Sequence, residues 1–168
     1  DSSVALGNYN YATGDATIAL GKENWAQGGS SIAVGYKNNT AGAGSIALGQ
    51  ENIAWGTTNF TSGHQNVAGD VNAAVGTAGS ATAMGTGTKA SGRSSFSANN
   101  NTTASNHASA ALGLSTTADN FGMLAIGVNN LVGAGDTTID ADNYGGYYYA
   151  DGQYTGTPVG VAFVIGNG

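Results

Sequence analysis

Large apolar side chains recur in this chain in short strings with a small residue between them. They read Val4-Ala5-Leu6-Gly7, Ile18-Ala19-Leu20-Gly21, Ile32-Ala33-Val34-Gly35 and Ile46-Ala47-Leu48-Gly49. Within each string the large residues stand two apart, so they share one face of an extended segment while the alanine points to the other. That pattern predicts a short β-strand. A second half-motif follows at a constant distance, as Ala12-Thr13-Gly14, Ala26-Gln27-Gly28, Ala54-Trp55-Gly56 and later Ala90-Ser91-Gly92. Each unit therefore holds two small-residue strands and two turns.

The units are periodic. Gly7, Gly21, Gly35 and Gly49 follow one another at a constant step of fourteen and Gly63 continues it; the step resumes at Gly85, passes through Asn99, and reaches Gly113 and Gly127. Fourteen residues cannot hold a pair of helices, and the strings are too short and too rich in Gly and β-branched residues for an amphipathic one. The expected fold class is all-β: a parallel β-solenoid of about ten coils, each rising ~4.8 Å, for a rod on the order of 50 Å. Between Gly63 and Gly85 the step lengthens to twenty-two, so one irregular coil or a protruding loop is expected within 64–84, with Ala73-Ala74-Val75-Gly76 as a displaced copy of the string. The expected organisation is a repeat domain over 1–132 and a non-repeat, Asp- and Tyr-rich segment over 133–168 that ends in a strand.

Polar residues form columns of their own. Asn10, Asn24, Asn38, Asn52 and Asn66 fall three residues after the repeat glycine, where a turn calls for a left-handed or side-chain-bonded residue. Stacked one coil apart, their amides can bond to one another as a ladder. Thr88, Thr102 and Thr116 take the matching place further along, with Asn130 closing the series, and Ser3, Thr17, Ser31 and Ser45 form a second column at the strand entrance.

Composition narrows the function. The 168 residues include 29 Gly, one Pro and no Cys, and only 8 % are charged, about a third of the usual share. Without cysteine there is neither a disulfide framework nor a thiolate metal site. A formal charge of −6 and no basic cluster argue against nucleic acid and anionic membrane surfaces as partners. No run approaches the length of a membrane span, so any export signal or anchor is expected outside this chain. A coil this small leaves apolar surface with no partner in its own chain, and self-association is the natural remedy. The alanine column, Ala5, Ala19, Ala33 and Ala47, is the face expected to lie between subunits, with Ile18, Leu20 and Gly21 committed to packing within the coil.

The pattern Ser-Ile-Ala-Leu-Gly followed by Ala-x-Gly, as in Ser45 to Gly49 and Ala54 to Gly56, resembles the YadA-like head repeat of trimeric autotransporter adhesins across about residues 2–130. The resemblance implies a left-handed parallel β-roll, a homotrimer on a bacterial surface, and attachment to host matrix protein, glycan or other cells. Residues 133–168 depart from that family, with no recognisable neck, heptad stalk or anchor strands.

Candidate chemistry is sparse. Gly85-Thr86-Gly87-Thr88-Lys89 has the composition of a phosphate loop but not its motif, and reads as a solenoid turn. His64 and His107 are two to three coils apart, too far to share a metal within one chain. Asp140, Asp142 and Asp151, with Asp136, Asn143 and Gly145, loosely resemble a calcium loop, yet Tyr144 stands where an oxygen ligand belongs; a solvated acidic loop is the plainer reading. No cofactor is expected. Tyr9, Tyr11, Trp25 and Tyr36 gather near one turn edge and Tyr147 and Tyr149 share a strand face in the tail, so both groups are candidate binding surfaces or packing at a subunit boundary. No acid, base and nucleophile set appears, which argues against an enzyme. An ice-binding reading needs more than one mixed Ser and Thr column. The alternative to an adhesin is a structural subunit of an extracellular filament or phage tail fibre, joined through solenoid ends or the Val159 to Ile165 strand.

Overall fold

A computed structural model of the protein describes residues 2–72 and 79–129, together with the strands Tyr147–Tyr148 and Val161–Asn167. Each unit contributes one five-residue strand and one two-residue strand. The nine five-residue strands, from Val4–Asn8 to Leu124–Val128, lie side by side in one parallel sheet; the eight two-residue strands, from Tyr11–Ala12 to Thr117–Ala118, form a second. Pairing follows the repeat in register, with Ile18 beside Ile32, Ile32 beside Ile46 and Ile46 beside Phe60. The described chain is a parallel β-solenoid without a helix.

It makes about eight turns, where ten were expected. The five-residue strands of the repeat reach only Leu124–Val128, and one turn is longer than the rest. In that long turn Phe60–His64 pairs directly with Thr82–Thr86, and Val67–Ala68 with Lys89–Ala90. Both sheets therefore run through, and the surplus falls between Ala68 and Thr82. Its stem is held by Ser80 N donating to Thr57 O at 3.0 Å and Ser94 N to Gly79 O at 3.0 Å. The string Ala73-Ala74-Val75-Gly76 lies outside the described residues.

The sidedness of the strands is the reverse of that expected. Ala19, Ala33 and Ala47 are fully buried inside the coil, facing Ala26, Ala54 and Ala68 of the short strands. Their large neighbours Ile18, Leu20, Ile32, Val34, Ile46 and Leu48 point outward and are only half-buried. The alanine column is thus the core and not a face shared between copies. A coil this tight brings its two sheets so close that, before the last coil, the fully buried side chains are those of Ala, Ser, Thr and Asn alone among the described residues. Met123, in the last coil, is the largest fully buried side chain among the described residues.

The asparagine column fills the remaining interior. Asn38 Nδ2 donates to Val34 O at 3.0 Å, to Gly49 O at 2.7 Å and to Asn24 Oδ1 at 3.0 Å, while Asn38 Oδ1 accepts from Asn52 N at 3.1 Å. Each amide satisfies backbone carbonyls that the corner leaves without strand partners. The left-handed conformation belongs to the residue before each asparagine: Glu23, Lys37 and Glu51 have φ of 58°, 54° and 55°. Two residues earlier Gly35 has φ +123°, and a Cβ there would collide with the carbonyl oxygen of Gly49. Asn99 takes the glycine place at φ 90°, as the side chain most tolerant of positive φ can.

At the far end Val161–Asn167 joins the first sheet parallel to Leu124–Val128, and Tyr147–Tyr148 pairs antiparallel with its other side. Within the strand nominated for joining a neighbouring molecule, Phe163 to Ile165 pair with Leu124 to Ile126 on one side, and Val161 and Phe163 pair with Tyr148 and Tyr147 on the other.

Candidate binding surface

With the small residues inside, the large side chains of both kinds of strand point outward, and two sides of the solenoid differ. On the long-strand side two columns run along the rod: Val4, Ile18, Ile32, Ile46, Phe60 in one and Leu6, Leu20, Val34, Leu48 in the other, returning as Leu112 with Leu124 and Ile126. Toward the end of this side a shallow groove is lined by Asn100, Leu112, Leu114, Ile126 and Val128. On the short-strand side the corresponding column reads Tyr11, Trp25, Asn39, Ile53, Val67, Lys89, Thr103 and Thr117.

The first three coils bring three sequence-nominated aromatics together. Tyr11 and Trp25 are each 48 % exposed, with ring centroids 5.2 Å apart and planes tilted by 58°. Tyr9, on the left-handed turn position of the same coil as Tyr11, is exposed beside them. They line a groove completed by Glu23, Lys37 and Asn39. Tyr36 does not line it. It sits around the corner on the long-strand side, with Lys22 Nζ 5.5 Å and Lys37 Nζ 5.1 Å from its ring centroid.

Charges knit this corner. Glu23 meets Lys22 at 3.3 Å and Lys37 at 3.8 Å. The Tyr36 hydroxyl, and after it the Glu23 carboxylate, holds the Lys37 ammonium above its ordinary value. One coil on, the Gln65 side-chain amide donates to Glu51 Oε2 at 2.8 Å and holds that carboxyl below its usual range, with Lys37 contributing. Glu23, Lys37 and Asn39 were not singled out in the sequence. The repeat step could have found them, since it stacks Glu23 on Lys37 and Trp25 on Asn39.

Other nominated residues stay apart. His64 ends a long strand and His107 lies on an exposed turn, and no group of three or more metal-ligating side chains occurs among the described residues. Asp140, Asp142, Asp151 and Tyr149 lie outside the described residues, and of Tyr147 only the backbone is described.

The fold defines a class, the parallel β-solenoid repeat proteins. Within it, residues 1–24, 26–52 and 77–97 match a family model described as the YadA head domain repeat, present in two copies. Over those residues the chain is similar to the YadA head repeat. No curated protein matches it.

Proposed function

We propose that this chain is the non-enzymatic head of a trimeric, cell-surface adhesin, in which three copies pack through the apolar outer face of the long-strand sheet. The observation that carries the reading is that face: two unbroken columns of Ile, Leu and Val stand outward over four coils of a rod whose interior is already full. Exposed apolar ridges of this length mark association surfaces. A rod that repeats along its axis offers each copy the same ridge, as a closed symmetric assembly requires. The family match supports three copies over two.

With the long-strand side covered, the short-strand side and its aromatic groove stay in water, once per copy. Three weak sites on one stiff rod gain avidity without a strong single contact. The test is Leu20→Glu with Leu48→Glu. Light scattering should report a trimer for the parent and a monomer for the variant, with the β-sheet circular dichroism of both alike. A parent that is monomeric at micromolar concentration, or a variant that remains trimeric, overturns the arrangement.

A further inference from the structure

We propose that the Trp25 groove takes a single neutral pyranose ring, so that the head attaches to uncharged saccharides. The inference deepens the adhesive reading and rests on it. Three observations carry it. First, the Trp25 and Tyr11 rings are half exposed and tilted by 58°, which forms a notch instead of one flat platform. A sugar ring presents axial C–H bonds on one face, and these suit the electron-rich face of an indole, with the second ring closing the side. The tilt admits one ring and not a stacked run of them.

Second, the rest of the groove is polar: Asn39, Glu23 and Lys37 surround the aromatic pair. The core of a protein–protein contact is depleted in charged residues, whereas hydroxyl groups around a sugar need donors and acceptors of both kinds. Asn39 lines this groove as a residue, and a side-chain amide brings both donor and acceptor character to its wall.

Third, the charges at the corner cancel. Lys22 and Lys37 both pair with Glu23, at 3.3 and 3.8 Å, and the charge of Glu51 acts on Lys37 from the next coil. Every cation there already has a carboxylate, so an acidic sugar or a nucleotide phosphate gains no free positive partner.

The test uses the full chain and saturation-transfer NMR with methyl β-D-galactopyranoside, methyl β-D-glucopyranoside and N-acetylneuraminic acid. Transfer to the ring C–H protons of a neutral glycoside is expected, lost in Trp25→Ala and retained in part in Trp25→Phe, with unchanged thermal melting in both. Attachment of protein-coated beads to cultured cells should fall about tenfold in Trp25→Ala, and to a similar level for the parent on periodate-oxidised cells. No transfer to either neutral glycoside, or transfer that Trp25→Ala leaves unchanged, overturns the proposal. Stronger transfer to N-acetylneuraminic acid overturns its neutrality. If Trp25→Ala lowers attachment while periodate and both glycosides do nothing, the groove binds protein: the saccharide is wrong and the adhesive reading stands. Attachment unchanged in Trp25→Ala removes the adhesive role of the groove as well.

Discussion

The two outer sides of this solenoid are built on the same backbone step but tolerate different things. On the long-strand side the first four coils place Val or Ile at one position and Leu or Val at the next, whereas the short-strand side runs through Tyr, Trp, Asn, Ile and Val over five coils. Neither side is needed to fill the interior, which Ala, Ser, Thr and Asn already occupy. Uniformity on one side therefore needs a cause outside the chain, and a second copy of the same ridge supplies it. The variety on the other side is what a surface free to recognise something else can carry. Both depend on the interior holding its shape.

Breaking that shared interior should have the largest effect. Gly35→Ala drives a Cβ into the carbonyl oxygen of Gly49 at φ +123°, and should cost about 3 kcal/mol or more in denaturant unfolding. Both outer sides would be lost together. If unfolding shifts by less than about 1 kcal/mol, the glycine column is not what sets the coil spacing.

A sharper version separates inside from outside within one strand. Ala33→Leu adds bulk in a filled interior and should destabilise the fold by about 1–3 kcal/mol. Val34→Leu, one residue on, points outward and should leave the melting temperature of a single chain nearly unchanged. Equal effects from the two substitutions would contradict the assignment of Ala33 to the interior. Assembly should not distinguish Ala33→Leu beyond what its loss of folding explains.

The smallest effect is electrostatic and sits on the corner between the two sides. Glu51 has a carboxyl pKa lowered from 4.5, chiefly by the Gln65 amide. A group whose folded pKa is depressed stabilises the fold above its unfolded value and loses that contribution as pH falls through its folded one. Glu51→Gln should thus lower the melting temperature slightly at pH 7, and the gap should close as the pH is taken below about 4.5. Added salt should shrink only the small part of the gap that the Lys37 charge contributes. A gap that is constant from pH 7 to pH 3 would show that Glu51 acts through packing and not through its charge.

Much of this architecture could be read from residue spacing. Parallel stacking places residues one repeat apart side by side, so every column, whether Gly, Asn or Ile, is visible in the sequence as a recurrence. The long turn was visible as well, because the step from Gly63 to Gly85 exceeds all the others and yet the two pair directly. The candidate groove was partly legible: Tyr9, Tyr11 and Trp25 could be placed near one edge, while Glu23, Lys37 and Asn39 drew no attention because none carries a motif.

By itself, the order of residues determined the repeat, the register and the two alternating faces of each strand. It could not say which face is inside. Period two separates the alanines from Ile and Leu, and the usual rule that large apolar residues form the core points the wrong way here. Only the closed coil decides, because joining two strands through two short turns brings the sheets so close that, Met123 of the last coil apart, the described interior holds nothing larger than Ala, Ser, Thr or Asn. The tertiary structure likewise decided that Trp25, Asn39 and Lys37, taken from two successive coils and both a strand and a turn, meet in one groove, whereas Tyr36 turns the corner to the opposite side.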